Sequence, residues 1–128
     1  MLLKPLVLAM KNWAIVGLGN NPERAAFGVS KLLQDKGHRI VPVYPRAETV
    51  HGEIGYKTLS EIPFEIDVVD CFVNSKLVGK VVDEAIAIGA KAVWLQLDVI
   101  DEEAVARAEA AGLLAIMDRC PAIEYKKR

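Results

Sequence analysis

A turn rich in glycine and asparagine, GLGNNPER at residues 17–24, follows the first apolar run of the chain. Gly17 and Gly19 would let the backbone approach a pyrophosphate closely, and amide groups at the start of a following helix would face the anion. Arg24 would donate charge-assisted hydrogen bonds to a phosphate oxygen. Pro22 stands where a GxGxxG motif has its third glycine, so a tight strand-to-helix turn without a ligand is the alternative. The candidate ligand contacts of this turn are Gly17, Leu18, Gly19, Asn20 and Arg24.

A second candidate position, Tyr44-Pro45-Arg46, follows the next apolar run. Proteins that bind NAD usually place an acidic residue near this point to hold the ribose diol. Arg46 is present instead, and a cation suits a phosphorylated ribose, as in NADP or in the 3′-phosphate of coenzyme A. An ordinary solvated arginine is the alternative. Pro45 and Arg46 are therefore candidate contacts.

Two further runs end in residues that suit the two sides of a ligand. Phe72 and Val73 would form an apolar lip against adenine or a pantetheine arm. The alternative is that Phe72 lies in the core and that Asn74 or Ser75 is a helix N-cap. Gln96 is the polar residue of the run WLQL and needs a hydrogen-bond partner, either a ligand or neighbouring backbone. Leu97 follows it and completes the candidate set.

The two cysteines have different predicted environments. Cys71 lies within an apolar run and is expected to be buried, where a thiol behaves as a small hydrophobe. Cys120 is expected just past the last strand, on the ligand side of the sheet. It is the redox candidate, with an inert thiol as the alternative.

Five apolar runs of strand length alternate with amphipathic segments of helix length. This alternation predicts a Rossmann-like α/β fold with three α/β/α layers around a five-stranded parallel sheet, in the order 3-2-1-4-5. Ligands of such sheets bind outside the carboxyl ends of the strands where the order reverses, here expected between strands one and four. Pro42 in the second run is unusual because proline cannot donate to a strand ladder. The expected strands are Asn12–Gly17, Arg39–Tyr44, Asp67–Phe72, Ala92–Leu97 and Leu113–Met117.

Length and charge limit the function classes. The chain has 128 residues, which predicts a single domain over residues 1–128, and a net charge of −1 from 16 basic and 17 acidic residues. This balance argues against nucleic-acid and membrane-surface binding. Two cysteines and two histidines with no metal-site spacing argue against zinc, and the low cysteine count favours a cytoplasmic location. The apolar run at residues 6–10 is too short to span a membrane and is expected to form a short packed helix.

The segments in this order resemble the small stand-alone CoA-binding proteins, which are similar to the N-terminal domain of the succinyl-CoA synthetase α subunit. The resemblance runs from about Asn12 to Tyr125. It is carried by AIVGLGNNPERAAFGV, IVPVYP with HGEIGY, DVVDCFVN, EAIAIGAKAVWLQL and AAGLLAIMDRCPAIEY. It implies a Rossmann-like fold that holds coenzyme A across the strand ends. By this resemblance, Gly17, Asn20 and Arg24 would meet the diphosphate, Pro45 and Arg46 would lie near the adenine and ribose phosphate, and Phe72, Val73 and Gln96 would flank the ligand.

Three residues depart from the pattern of these proteins. Tyr44 stands where asparagine is common, Val73 where arginine is common and Asp98 where glycine is common. The change at Val73 removes a positive charge near the expected pocket, and Asp98 adds a negative one. Neither His38 nor His51 matches the phosphorylated histidine of the ligase's second domain, so ligase activity is not expected of this chain alone.

The sequence therefore predicts a protein that binds coenzyme A or acyl-CoA, without a nucleophile–base–orienter set for catalysis. A mixed disulfide between Cys120 and coenzyme A would make the binding redox-dependent. An NADP-binding oxidoreductase or sensor is one alternative, and a ligand-free interaction subunit of an acyl-CoA ligase-like complex is another. A homodimer is one arrangement that the sequence allows.

Overall fold

A five-stranded parallel sheet forms the centre of the computed structural model, which describes residues 3–127. Helices flank the sheet on both faces, and among these residues no helix is long and apolar enough to cross a membrane. In chain order the elements are α1 (Leu3–Leu8), β1 (Asn12–Val16), α2 (Ala25–Asp35), β2 (Arg39–Val43), a 3-10 turn (Leu59–Glu61), β3 (Val68–Cys71), α3 (Ser75–Ala87), β4 (Ala92–Leu95), α4 (Glu102–Ala110), β5 (Leu114–Ile116) and α5 (Pro121–Lys126).

The Rossmann-like class and the five parallel strands are confirmed, but the strand order needs one correction. The strands lie in the order β2-β1-β3-β4-β5. In the expected order 3-2-1-4-5, strand three would have paired with the outer side of strand two. Instead β3 pairs with β1 on one side and with β4 on the other. After β2 is added on one side of β1, β3 and the later strands are added on the other side, so the strand order reverses between β1 and β3. Ligands of such sheets bind at this point, outside the carboxyl ends of the strands.

Pro42 gives the physical reason for this order. β2 is an edge strand, and Pro42, which has no N–H to donate, faces Ile15 of β1 in the strand register. A further strand on the outer side of β2 would have found no backbone N–H to accept from at Pro42. A short backbone bridge covers that side instead, because Tyr56 N donates to the Pro42 carbonyl at 3.0 Å and Tyr44 N donates to the Tyr56 carbonyl at 3.0 Å.

Apolar side chains cover both faces of the sheet, as the continuous apolar runs require. On one face Trp13, Ile15 and Trp94 pack with α1, α2 and the segment before α5. On the other face Val69 and Leu95 pack with α3 and α4. The sheet is thus the middle of three layers.

The helices begin where side chains satisfy their first amide groups. The Asn74 side chain accepts from Lys76 N at the start of α3, and the Asp101 side chain accepts from Ala104 N at the start of α4. Of the two N-cap candidates for α3, Asn74 and Ser75, Asn74 takes the role.

The segment after β5 forms a short helix, α5, for which the sequence analysis made no prediction. Pro121 occupies the first turn of α5, where its missing N–H costs nothing. Tyr125 donates a hydrogen bond to the Leu8 carbonyl at 3.1 Å and contacts the His38 ring through its hydroxyl. His38 Nδ1 lies 2.7 Å from the Met10 carbonyl. These bonds hold α1 and α5 at the amino end of the sheet, opposite the candidate site.

Candidate functional site

The carboxyl ends of β1, β2, β3 and β4 meet along one edge of the sheet, where three adjoining depressions form a cleft. All three share Gly17 and Arg24. One depression extends over the end of β2, one over the start of α3 and one over the end of β4. The turn after β1 is therefore the centre of the site.

Gly17 allows β1 and β3 to end against one another. Its backbone has φ of +100°, and a Cβ at this position would lie 2.4 Å from the Phe72 carbonyl oxygen. Its N–H donates to the Val43 carbonyl at 2.8 Å. No side chain fits here, so the floor of the cleft is bare backbone that a ligand can approach closely.

Arg24 marks the start of α2 and lines every part of the cleft. It is the N-cap residue of the helix and makes no side-chain capping bond. Asn20 and Asn21 do not cap α2: the Asn20 amide donates to the Thr49 carbonyl at 2.9 Å, and the Asn21 side chain accepts from Glu23 N at 3.0 Å. The Arg24 guanidinium is thus placed beside a turn whose asparagines shape the loop.

Glu48 is a residue of the site that the sequence reasoning missed. Its carboxylate accepts from Asn20 N at 2.8 Å and lines the cleft with Tyr44 and Arg46. It thus occupies an amide that a phosphate oxygen would otherwise use. Gly55 holds the segment close, because a Cβ there would lie 2.0 Å from the Glu48 carbonyl oxygen. An acidic residue does follow β2, four positions beyond Tyr44, although none was expected.

One side of the cleft, over the start of α3, combines lysines with apolar side chains. Lys57 and Lys80 line it together with Pro45, Leu77 and Val81. Neither lysine was predicted, because one lies in a long irregular connection and the other a turn and a half into α3. This side offers cations and a flat apolar wall.

The other side, over the end of β4, is apolar with one buried amide. Val73, Leu97 and Val99 line it with Gln96. Gln96 is 6% exposed, and its side-chain oxygen has no hydrogen-bond partner within the protein. Beyond Leu97, Asp98 has a φ of +70°, and its N–H donates to the Asp118 carboxylate at 2.7 Å.

The structure brings most of the predicted contacts together. Those that line the cleft are Gly17, Gly19, Asn20, Arg24, Pro45, Arg46, Phe72, Val73, Gln96 and Leu97. Leu18 is different: its side chain is fully buried in the core.

Neither cysteine is among the residues that line these depressions. Cys120 is 8% exposed and packs in the apolar cluster of Trp94 and Ile116. Cys71 is fully buried, and burial, followed by the nearby Asp70 carboxyl group, raises the pKa of its thiol. Within residues 3–127 no three or more His, Cys, Asp or Glu side chains are grouped to hold a metal ion.

Asp70 is a carboxyl group enclosed in the sheet beneath the cleft. It lies between Ile15 of β1 and Trp94 of β4 in the strand register. It is fully buried, and neither carboxyl oxygen has a hydrogen-bond partner within the protein. Burial raises the pKa of Asp70 well above its usual value.

Relatives of known sequence match most of the chain. The uncharacterized protein YneT of Bacillus subtilis (strain 168) is 34% identical over 118 residues, which cover 92% of this chain and 87% of that protein. Subunit alpha of the ADP-forming acetate–CoA ligase II of Pyrococcus furiosus is 35% identical over 81 residues, 62% of this chain. The match covers 18% of that subunit, so the likeness concerns one part of a much longer protein.

The fold and the sequence agree with a solved structure and with a family. A hypothetical protein from Pyrococcus horikoshii OT3 superposes with a TM-score of 0.92 and 38% identity, over 98% of this chain and 88% of that one. Residues 11–126 match the family described as the CoA binding domain. The resemblance found in the sequence is confirmed: this chain belongs to the CoA binding domain family.

Proposed function

We propose that this chain binds coenzyme A or an acyl-CoA in the cleft, with the diphosphate on the turn at residues 17–24. The observation that carries the proposal is that all three depressions meet at Gly17 and Arg24. Bare backbone and one guanidinium at the centre suit a diphosphate, and the arms on either side suit a long ligand. Family membership supports coenzyme A as that ligand.

The charges of the cleft favour one direction for the ligand. Two carboxylates, Glu48 and Glu84, and three cations line the β2 and α3 side. The cations, Arg46, Lys57 and Lys80, suit the 3′-phosphate of the adenosine part. Pro45 and Val81 give that side an apolar wall for adenine. The pantetheine arm would then run over Phe72 toward Gln96 and Leu97, where the lining is mainly apolar.

We propose binding without catalysis. The match to the acetate–CoA ligase subunit covers only 18% of that subunit. Arg24 and Arg46 offer charged donors, and Gln96 offers a buried amide, all of which are suited to holding a ligand. A module that sequesters or senses coenzyme A needs no more than these.

Calorimetric titration of reduced protein with CoA, dephospho-CoA and NADPH tests the proposal. We expect CoA to bind more tightly than dephospho-CoA and NADPH to give no heat of binding. NADPH binding alone would contradict the proposal and favour an oxidoreductase or a sensor of NADP. No binding of any of the three would also contradict it and favour a ligand-free interaction subunit.

Two arginines of the same strand region provide a matched pair of variants. Arg46→Gln removes one of the three cations on this side of the cleft and should narrow the preference for CoA over dephospho-CoA. Arg39→Gln makes the same charge change at the other end of β2, where Arg39 stacks on Phe64, and should leave the preference for CoA unchanged. Equal effects of the two variants would contradict the proposed 3′-phosphate contact.

The redox role of Cys120 is a finer prediction. The Cys120 thiolate would attack the disulfide of oxidised coenzyme A, forming a mixed disulfide and releasing one CoA thiolate. Because Cys120 is 8% exposed, the segment before α5 must open for this exchange, so we expect it to be slow. Mass spectrometry of protein incubated with CoA disulfide tests it, and an adduct on Cys71 alone, or none, would contradict it.

Three further predictions concern the oligomeric state, the cellular location and the absence of nucleic-acid binding. A homodimer is checked by light scattering of the purified chain, and a cytoplasmic location by fractionation of cells. Independence of nucleic acids is checked by a gel-shift titration.

A further inference from the structure

We propose that the β4 side of the cleft selects the acyl group of a bound acyl-CoA. It favours an uncharged apolar acyl chain over free CoA and over an acyl chain that ends in a carboxylate. This inference rests on the proposed function and adds the class of ligand that the site prefers. Three features of the same region carry it: an exposed apolar rim, a buried amide without a partner and a pair of carboxylates.

The apolar rim surrounds the point where the pantetheine arm would end. Leu97 is 48% exposed although it lines the cleft beside Val73 and Val99. Ile100 is 46% exposed, and its N–H donates to the Ser75 hydroxyl at 2.9 Å, which holds it at the start of α3. Large apolar side chains gathered around a cleft mouth gain free energy when a ligand covers them. An acyl chain is the part of the ligand that would reach them.

The buried amide supplies a polar contact that fixes the end of the pantetheine arm beside the apolar rim. Gln96 is 6% exposed, lines this side of the cleft and has an unpartnered side-chain oxygen. A buried polar group without a partner costs free energy, which a ligand recovers by supplying one. The pantetheine arm offers amide N–H donors to this oxygen. The acyl group that follows the sulfur is then held at the rim.

The carboxylates make the rim unfavourable for a charged acyl end. Asp98 follows Leu97 directly, and its backbone N–H donates to the Asp118 carboxylate at 2.7 Å, so the Asp118 carboxylate lies beside the backbone that follows Leu97. Arg119 is the neighbouring cation, and it donates to the Asp118 carbonyl at 2.7 Å. Arg24, the cation that lines this side, faces the diphosphate in the proposed binding mode. A terminal carboxylate would therefore meet like charge and lose its hydration.

Butyryl-CoA and succinyl-CoA form a matched pair for the test, because both acyl groups have four carbons and only one ends in a carboxylate. Calorimetry at one fixed salt concentration compares them with CoA. We expect butyryl-CoA to bind about tenfold more tightly than CoA, as burial of a few methylene groups would give. Succinyl-CoA should bind about tenfold more weakly than butyryl-CoA.

Two single variants test which residue causes each difference in affinity: the gain of butyryl-CoA over CoA, and the loss of succinyl-CoA relative to butyryl-CoA. Leu97→Asn should remove most of the gain of butyryl-CoA over CoA, and the ratio of the two affinities is the quantity compared with the parent. Asp98→Asn should narrow the difference between butyryl-CoA and succinyl-CoA, and asparagine tolerates the φ of +70° at this position. Ile54→Asn is the control, because Ile54 is 68% exposed and lines a different depression, beside β2.

The outcomes separate this inference from the proposed function. If CoA binds and neither thioester differs from it, the acyl selectivity is refuted while the coenzyme A site stands. If succinyl-CoA binds as tightly as butyryl-CoA, the role of the carboxylates is refuted. If neither CoA nor any thioester binds, the proposed function fails and this inference fails with it.

Discussion

Asp70 makes the stability of this protein depend on pH in a direction opposite to that of most carboxylates. The group is fully buried without a hydrogen-bond partner in the protein, and burial raises its pKa well above its usual value. The folded chain therefore retains a proton that the unfolded chain releases once the pH exceeds about 3.8. Between that pH and the raised pKa, the free energy of unfolding falls as the pH rises.

The magnitude follows from the single proton involved. One proton held by the folded state alone changes the free energy of unfolding by about 1.4 kcal/mol per pH unit. Asp70→Asn replaces the protonated carboxyl by a group of nearly equal shape that cannot ionise. The variant should match the parent near pH 4 and exceed its stability increasingly as the pH rises from there to the raised pKa of Asp70.

Urea unfolding of both proteins at pH 5, 6, 7 and 8 measures this difference, and contributions of all other groups cancel. Asp67→Asn is the matched control just before β3. Burial raises the pKa of Asp67, but hydrogen bonds from Asn12 and Lys91 outweigh it and hold the pKa below its usual value. That carboxylate stabilises the fold above its unfolded pKa, so the control variant should lose stability at pH 7. If the free energy of unfolding changes with pH in the same way for Asp70→Asn and for the parent, the reasoning is refuted.

Further predictions concern the turn after β1 and two charged residues beside it, Arg24 and Glu48. Gly17→Ala should cost about 2–4 kcal/mol in urea unfolding, because its Cβ meets the Phe72 carbonyl and its φ is positive. Gly28→Ala in α2, where a Cβ meets nothing within 4 Å, should instead gain about 1 kcal/mol, and equal effects would contradict the close approach at Gly17. Arg24→Ala should weaken CoA binding about 10- to 100-fold in calorimetry, as loss of charged hydrogen bonds to phosphate would, and an unchanged affinity would contradict its role. Glu48→Gln should tighten CoA binding about two- to tenfold because it removes a negative charge that competes for Asn20 N, and weaker binding would indicate that Glu48 holds the ligand instead.

The parts of the site that sequence reasoning predicted are those that follow strands directly. Carboxyl ends of parallel strands converge at one edge, so Gly17, Arg46, Phe72 and Gln96 come together once five strands are recognised. Leu18 shows the limit of this reasoning, because its position in the turn was predicted but its side chain points into the core.

Residues outside the strand ends could not be predicted in this way. Glu48 and Lys57 lie in an irregular connection between β2 and β3, which has no periodic pattern to fix where it folds back. Lys80 lies on α3, and only the packing of that helix brings it to the cleft. Cys120 was expected at the ligand side, but α5, which the sequence reasoning did not anticipate, begins there and buries it.

The strand order could be predicted in part from the sequence. Pro42 indicated an edge position for the second strand, and an edge position excludes the order 3-2-1-4-5 because that order places strand two inside the sheet. The general preference for right-handed crossovers does not distinguish the two orders.

The same edge strand affects how copies of this chain can associate. Strand addition between molecules needs a row of free backbone donors and acceptors. On β2 the proline supplies no donor, and Tyr56 already pairs with the Pro42 carbonyl and with Tyr44 N. At the opposite edge β5 is only 3 residues long. Concentrated protein should therefore resist fibrous self-assembly through its sheet, and a homodimer would have to use helical surfaces or the rim of the cleft.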